Sequence, residues 1–318
     1  MKSKFFIRIV ISLLMILIIL QSLSFSQFIT VLKSTPFFVV AAAVVGYLIG
    51  QVISAYKWYL IISAESSINL KFSKVLSAYF IGMYVNAFGL GIVGGDVVRG
   101  LLASPASKTH GVATVVADRF HGLAVLAFLG IASALLFGHS HLGRGFIYLL
   151  AGIVTIVVLG WAIGPYLLKI LSDKYTSLNK TVNEIVKGFP RSFNVLGKIT
   201  VISFCFHLLQ IFLHWLILYG VGASPSFFFL LMTVPFVNIL SSLPISWNGL
   251  GVRETAYLFF FTPFYATKEQ CVALGLIWLF AMTFSAALGG VAAVLTGDLK
   301  GVLLKEKASE YKPSEKAA

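Results

Sequence analysis

Long apolar runs separated by short polar segments make up almost the whole chain. Six of these runs contain the roughly 20 mostly apolar residues that a helix needs to cross a bilayer. They lie at about 5–24, 36–62, 111–137, 145–171, 197–221 and 270–297. The first run follows basic residues as a signal peptide would, but no small-residue cleavage site comes after it, so we expect an uncleaved helix. The pattern predicts an all-α membrane protein with six full transmembrane helices.

Two further apolar runs are interrupted by residues that break helices. The run 74–100 contains Asn86-Ala-Phe-Gly-Leu-Gly-Ile-Val-Gly-Gly-Asp96, and the run 226–264 contains Pro244-Ile-Ser-Trp-Asn-Gly-Leu-Gly251. Glycine and proline both weaken the hydrogen-bond ladder of a helix. We therefore expect each run to form a helical hairpin rather than one continuous helix.

The distribution of lysine and arginine indicates how these hairpins are threaded. Basic segments at about 63–74 and 99–110 flank the first interrupted run, and basic loops of membrane proteins stay in the cytoplasm. A full span between them would place the two segments on opposite sides. We therefore predict that 74–100 is a re-entrant hairpin from the cytoplasm. The same reasoning makes 226–264 a re-entrant hairpin from the other side.

These elements repeat in the same order in two halves of the chain. Residues 1–137 form the first predicted unit, with the spans 5–24, 36–62 and 111–137 and the hairpin 74–100. Residues 138–299 form the second, with the spans 145–171, 197–221 and 270–297 and the hairpin 226–264. Each unit crosses the membrane an odd number of times, so the two form an inverted-topology repeat, as in many secondary transporters. Residues 300–318 are predicted to be a disordered cytoplasmic tail.

Composition excludes an ordinary soluble protein. Hydrophobic residues make up 58% of the chain and charged residues only 11%, whereas soluble domains are about 45–50% apolar and about 25% charged. The net charge of +13 fits basic cytoplasmic loops that can touch anionic lipid headgroups rather than nucleic acid. We expect a multi-pass protein of the cytoplasmic (inner) membrane with both termini in the cytoplasm.

The two glycine-rich breaks carry the candidate substrate-binding residues. A broken helix exposes backbone N–H groups and a positive dipole end, and an arginine adds a fork of donors suited to phosphate. The alternative is that Arg99 is only a cytoplasmic-end basic residue and that Arg253 pairs with Glu254 or Asp118 to hold the fold. The candidates are Gly94, Gly95 and Arg99 in the first break, and Ser246, Asn248, Gly249, Gly251 and Arg253 in the second.

Ionisable residues within the predicted spans form a third group. Arg119 is a further candidate for phosphate binding, while Asp96, Asp118 and Glu254 would gate, balance charge or couple protons. The alternative to a substrate role is a purely structural ion pair, in which Asp118 would neutralise Arg99 or Arg253. We expect Lys57, with its neighbour Trp58, to snorkel toward the interface and anchor the second span there.

Signatures of enzymes and cofactors are missing from the sequence. We find no glycine-rich nucleotide loop, no His-Glu-x-x-His and no Gly-x-Ser-x-Gly motif. His207 and His214 share a span, seven residues apart, but a metal site would need more ligands. We predict neither a cofactor nor a metal, and no catalytic residues.

The same motifs resemble the flippase-like transmembrane region of lysylphosphatidylglycerol synthases. The matching pieces are Gly94-Gly-Asp-Val-Val-Arg99, Asp118-Arg-Phe-His-Gly-Leu123 and Pro244-Ile-Ser-Trp-Asn-Gly-Leu-Gly-Val-Arg-Glu254, in an order and spacing that extend the resemblance over nearly the whole chain. The sequence departs from this family at Trp247-Asn248, where a second glycine or proline is common, and at Lys57-Trp58, where Arg-Trp is frequent.

The resemblance implies translocation of a lipid or of a lipid-linked headgroup. Bifunctional relatives carry a cytoplasmic aminoacyltransferase domain, and we expect this chain to be a stand-alone member without one. The leading hypothesis is a flippase or transporter for an anionic phospholipid or a polyprenyl-phosphate-linked lipid. A second hypothesis is a membrane subunit that presents a lipid carrier to a separate glycosyl- or aminoacyl-transferase. The third, an intramembrane enzyme, lacks a nucleophile or a metal cluster.

Overall fold

The computed structural model describes residues 2–64, 70–88, 91–104, 107–137, 144–174, 179–243 and 245–297. Within these residues the chain is entirely helical, with no strand, as the sequence predicts. The predicted tail at 300–318 and Pro244 of the second break lie outside the described residues. The helices are α1 (Lys2–Gln21), α2 (Phe25–Ser34), α3 (Phe37–Ile62), α4 (Phe72–Phe88), α5 (Gly91–Ala103), α6 (Lys108–Phe137), α7 (Arg144–Lys174), α8 (Asn179–Lys187), α9 (Phe193–Gly220), α10 (Phe227–Ser242), a short 3₁₀ turn (Trp247–Gly249), α11 (Val252–Phe261) and α12 (Lys268–Thr296).

Five helices in the described part of the chain are individually long and apolar enough to cross a bilayer, namely α3, α6, α7, α9 and α12. A sixth span results if α1 and α2 are taken as one broken helix, with a bend of 96° between them. The sequence pattern did not predict α2. This helix is amphipathic and packs Phe28, Val31 and Leu32 against the core, so tertiary contact orders what reads as a linker.

The first interrupted run folds as an antiparallel helical hairpin. Its arms α4 and α5 approach so closely that a Cβ on Gly95 would collide with the Gly82 carbonyl oxygen, and a Cβ on Gly82 would lie 2.9 Å from the Arg99 Cβ. Close approach of this kind is what small residues allow between membrane helices. Near the open end, Val75 of α4 and Ala103 of α5 join one buried cluster.

The second interrupted run forms another hairpin, from α10 and α11. Phe229 near the start of α10 contacts the ring of Phe261 at the end of α11, with 6.2 Å between ring centroids. Between the arms, Asn248, Gly249 and Gly251 have positive φ angles, of 52°, 75° and 85°. Glycine adopts these values without strain, so two glycines permit this turn at the point where the sequence predicts a break.

The two hairpins begin at opposite ends of the bundle, and their tips meet. The antiparallel helices α3 and α9 define the two ends, since Ile61 packs with Ile199 at one end and Val39 meets Gly220 at the other. The first hairpin opens toward the Ile61 end and the second toward the Gly220 end. At the tips, the Asn248 side-chain amide lies 3.5 Å from the Ala87 carbonyl oxygen.

Helix packing is reciprocal between the two halves of the chain. The first hairpin packs on α12 through α4, where Gly289 meets the Phe80 carbonyl, and the second packs on α6 through α10, where Gly130 meets Pro235. In the same way α5 lies on α6, and α11 lies on α12. Each hairpin is therefore held between the last long helix of its own half and that of the other half.

Candidate functional site

A cavity of about 470 Å³, lined by charged and by apolar side chains, lies where the hairpins meet the long helices. Its size falls within the roughly 300–1,000 Å³ of ordinary ligand pockets. Asn248, at the tip of the second hairpin, forms part of its wall, which explains why irregular backbone is tolerated at this depth. The charged side chains that line it are Lys57, Asp96, Arg99, Asp118, Arg119 and Arg253.

Five of these charges form one continuous ion-pair network. The Asp118 carboxylate lies 2.8 Å from the Lys57 ammonium and 3.1 Å from Arg99 Nη2. The Asp96 carboxylate lies 3.1 Å from Arg99 Nε and 2.8 Å from Arg119 Nε. Arg99 therefore bridges the two carboxylates. This network joins α3, α5 and α6 at one wall of the cavity.

Aromatic rings and hydrogen bonds hold Arg99 in this position. Its guanidinium carbon lies 4.8 Å from the centroid of the Trp58 ring and 5.0 Å from that of Tyr79, which are cation–π distances. The Trp58 indole N–H donates to Thr114 Oγ1 at 3.1 Å. Tyr79 OH lies 2.9 Å from Ser54 Oγ. Despite these contacts, Arg99 Nη1 is buried and has no hydrogen-bond partner among the described residues.

Arg253 carries a charge without a carboxylate partner. The side chain is buried, and its Nη2 donates to the Asn248 carbonyl oxygen at 2.8 Å and lies 4.0 Å from Met282 Sδ. No carboxylate lies within 4 Å of its nitrogens in the described part of the chain. Its Nη1 is buried without a partner among those residues. The two alternative pairings, with Glu254 or with Asp118, are therefore not formed.

Glu254 lies outside the cavity lining, in the first turn of α11 near the tip of the second hairpin. Its Oε2 accepts a hydrogen bond from the Gly251 N–H at 2.7 Å, which caps the first turn of α11. Its Cγ lies so close to Gly275 of α12 that a Cβ there would be 2.8 Å away. The carboxylate therefore faces the positive end of a helix dipole.

The remaining predicted residues divide between the cavity and the packing that supports it. Asp96, Arg99, Asp118, Arg119, Asn248 and Arg253 line the cavity, whereas Gly94, Gly95, Ser246, Gly249, Gly251 and Glu254 lie outside its lining. Ser246 is buried, and its Oγ has no partner among the described residues. Arg119 is half exposed, and its Nη2 also donates to Asp96, at 3.0 Å.

The prediction that Lys57 and Trp58 anchor the span at the interface is wrong. Both are buried, Lys57 at 6% exposure and Trp58 at 0%, and Lys57 also donates to the Asp118 carbonyl oxygen at 3.1 Å. The position of Lys57 more than a turn inside α3, opposite a carboxylate on another span, is a signal that sequence reasoning could have used.

Neutral polar residues of the cavity wall were not singled out from the sequence. They include Gln51, Ser54, Asn86 and Asn238. Single polar residues on apolar helices give no local signal of which face they occupy, so only packing identifies them.

His207 also lines the cavity and hydrogen-bonds the Gly122 carbonyl oxygen through Nε2 at 3.0 Å, whereas His214 is bonded to Gln210 and Tyr257 away from it. Over the described ranges, no group of three or more His, Cys, Asp or Glu could hold a metal.

Comparison with known proteins identifies a family. The family model described as "Lysylphosphatidylglycerol synthase TM region" matches residues 5–290. This range includes both hairpins and every charged residue of the cavity wall. No curated protein and no solved structure matches the chain.

Proposed function

The chain belongs to the family of the lysylphosphatidylglycerol synthase transmembrane region, and on that premise we propose that it transports an anionic phospholipid or a polyprenyl-phosphate-linked lipid across the membrane. The observation that carries this proposal is the shared cavity between two hairpins. Arg99 from one hairpin and Arg253 from the other both line it, and the buried Nη1 of each has no hydrogen-bond partner among the described residues. Arginine forks of this kind suit phosphate oxygens.

An inverted repeat would let both sides of the membrane reach this cavity in turn. Residues 1–137 and 138–299 would be the two units, with α3 related to α9, the first hairpin to the second, and α6 to α12. The antiparallel course of α3 and α9 and the reciprocal packing of hairpins on α6 and α12 support this relation. Rocking of one unit against the other would then give alternating access.

Charge at the two ends of the bundle supports an orientation. The end that holds the start of α4 and the end of α5 also carries most of the exposed basic residues, and we propose that it faces the cytoplasm of a cell membrane. The first hairpin would then re-enter from the cytoplasm and the second from outside. The basic residues at this end are Lys71, Lys74, Lys108, Lys169, Lys180, Lys187, Arg191 and Lys198.

The arginines and carboxylates at the cavity have proposed tasks. Arg99 and Arg253 would bind the phosphate, and Arg119, half exposed, would meet the headgroup as it enters. Asp96 and Asp118 would partly neutralise the cations while the cavity is empty. When substrate binds, its phosphate would replace some of these ion pairs. Glu254 would stabilise the turn that aims Arg253 and so act through position. We propose transport rather than catalysis as the activity.

The test is lipid scrambling by the purified full chain in liposomes. Fluorescent phosphatidylglycerol is reconstituted with the protein, and the fraction of probe reachable by an external quencher is followed over time. Arg253→Gln removes the charge but keeps an N–H donor for the Asn248 carbonyl, so we expect normal folding and a translocation rate at least tenfold lower. Arg191→Gln, which removes an exposed cation outside the cavity, is the matched control and should leave the rate unchanged.

The outcomes separate the two candidate functions. Equal rates for wild type and Arg253→Gln, with both proteins folded, would refute the role of the cavity. Lipid binding without any translocation by the wild type, together with co-purification of a glycosyl- or aminoacyl-transferase, would instead favour the carrier-presenting subunit.

A further inference from the structure

The charges of the cavity wall do not cancel. Among the described lining residues four are cations and two are carboxylates, so two positive charges are in excess. Lys57 and Arg119 each have a carboxylate at 2.8 Å. The excess therefore resides on Arg99, which shares its two carboxylates with these cations, and on Arg253, which has no carboxylate of the described residues within 4 Å.

Glu254 does not remove this excess from the cavity. Its carboxylate is outside the lining and is hydrogen-bonded to the Gly251 N–H at the start of α11. A helix start carries the equivalent of about half a positive charge, which this carboxylate faces. Arg253 is left with one hydrogen bond to a neutral carbonyl and a thioether contact.

Buried positive charge that is not balanced is costly, and this cavity holds an excess of two, one in the network around Arg99 and one on Arg253. In each guanidinium, Nη1 is also buried, and its N–H groups find no hydrogen-bond acceptor among the described residues. Two excess charges and two sets of free donors, contributed by different hairpins, match a ligand with two negative charges and several acceptor oxygens. A phosphate monoester or a diphosphate has these properties, whereas a phosphodiester carries a single charge.

Taking the proposed function as given, we propose that the cavity selects lipids whose headgroup is a doubly charged phosphate, a phosphomonoester or a diphosphate, over lipids with a phosphodiester. Lipids with an added ammonium group are disfavoured further, because the ammonium would meet the excess positive charge. The second ionisation of a phosphate monoester has a pKa of about 6. Selection for the monoester therefore depends on the ligand's own charge and is lost when the medium is acidified.

The experiment compares binding of three short-chain lipids with identical dihexanoyl chains to the full-length protein in detergent. The probes are phosphatidic acid, phosphatidylglycerol and lysyl-phosphatidylglycerol, and inorganic phosphate is added to separate headgroup recognition from free-phosphate binding. At pH 8 we expect phosphatidic acid to bind about tenfold tighter than phosphatidylglycerol, which corresponds to one charge-assisted hydrogen bond. Lysyl-phosphatidylglycerol should bind most weakly. At pH 5 the first two should bind within twofold of one another.

A substitution links this preference to the protein. Arg253→Gln should bring phosphatidic acid to the affinity of phosphatidylglycerol at pH 8, while Arg191→Gln should retain the tenfold difference. Equal binding of both lipids by the wild type at pH 8, or a preference that persists at pH 5, would overturn the selectivity inference. Translocation of phosphatidylglycerol in the liposome assay would still stand in that case, so the two proposals fail separately. Stronger binding of inorganic phosphate than of phosphatidic acid would show an ion site rather than a lipid site.

Discussion

Asp118 is the carboxylate on which the wall of the cavity depends most. Its two oxygens face different cations, Lys57 Nζ at 2.8 Å and Arg99 Nη2 at 3.1 Å, and all three side chains are 4–7% exposed. Removing one partner of a buried ion pair leaves an uncompensated charge and costs about 3–5 kcal/mol. Asp118→Asn leaves Lys57 with a neutral amide in place of its carboxylate and leaves Arg99 with Asp96 alone. We therefore predict a loss in the free energy of unfolding of about 3–5 kcal/mol.

Lys57→Met is the informative comparison for this variant. It removes one cation while Asp118 keeps its contact with Arg99, so its cost should be well below that of Asp118→Asn. The double variant removes one charge of each sign and leaves Arg99 with Asp96 at 3.1 Å. Because the two sites are in direct contact, the double variant should be more stable than the sum of the single costs implies, by about 0.5–3 kcal/mol.

The assay is unfolding of the purified protein in mixed micelles as the fraction of denaturing detergent is raised, followed by circular dichroism. All four proteins of the cycle are measured in the same lipid and at the same protein concentration. Strict additivity of the two single losses would show that Asp118 and Lys57 do not interact. A Lys57→Met loss equal to that of Asp118→Asn would show that Asp118 is not the central counterion, and the reasoning above would be refuted.

Two further predictions concern the hairpins. Gly95→Ala should reduce the yield of folded protein in detergent extracts several-fold, because its Cβ would collide with the Gly82 carbonyl. Gly152→Ala is the control and should leave the yield unchanged, because nothing lies within 4 Å of the added Cβ. Equal yields for the two variants would contradict the close packing of α4 on α5. Glu254→Ala should lower the free energy of unfolding in mixed micelles by about 1 kcal/mol, because the hydrogen bond that caps Gly251 is lost. Glu254→Gln can still accept that hydrogen bond and should cost less. A similar loss in both variants would indicate that the charge rather than the cap matters.

Much of the fold could be predicted because a bilayer allows few backbone solutions. Apolar runs of span length are helices in lipid, since every backbone group must be satisfied within the segment. The glycines between Phe88 and Asp96 indicate a break, which falls before Gly91, so that Gly94 and Gly95 lie inside α5. Basic segments on both sides of a run indicate that it turns back. The bend between α1 and α2 was not predictable in this way, because α2 is held by packing of Phe28 and its neighbours against other helices.

The site was partly predictable for a similar reason. Arg99, Arg119 and Arg253 stand out in the sequence because a charge within an apolar segment needs a partner or a function. Lys57 carries the same signal, but its nearness to a helix end favours snorkelling, and only the carboxylate of Asp118 on a neighbouring helix reverses that interpretation. Glycines of both breaks were expected to bind ligand, yet they lie outside the cavity lining, where they shape the turns and permit close packing.

The sequence alone determined that the chain is helical, which two apolar runs turn back as hairpins and which residues carry charge, because hydrophobic length, glycine and lysine act locally. It also determined the family, through motifs that the match over residues 5–290 confirms. Only the tertiary structure decided which charges neutralise one another, since partners such as Lys57 and Asp118 are 61 residues apart and meet through packing of separate helices. The excess charge on Arg99 and Arg253 is a property of that packing.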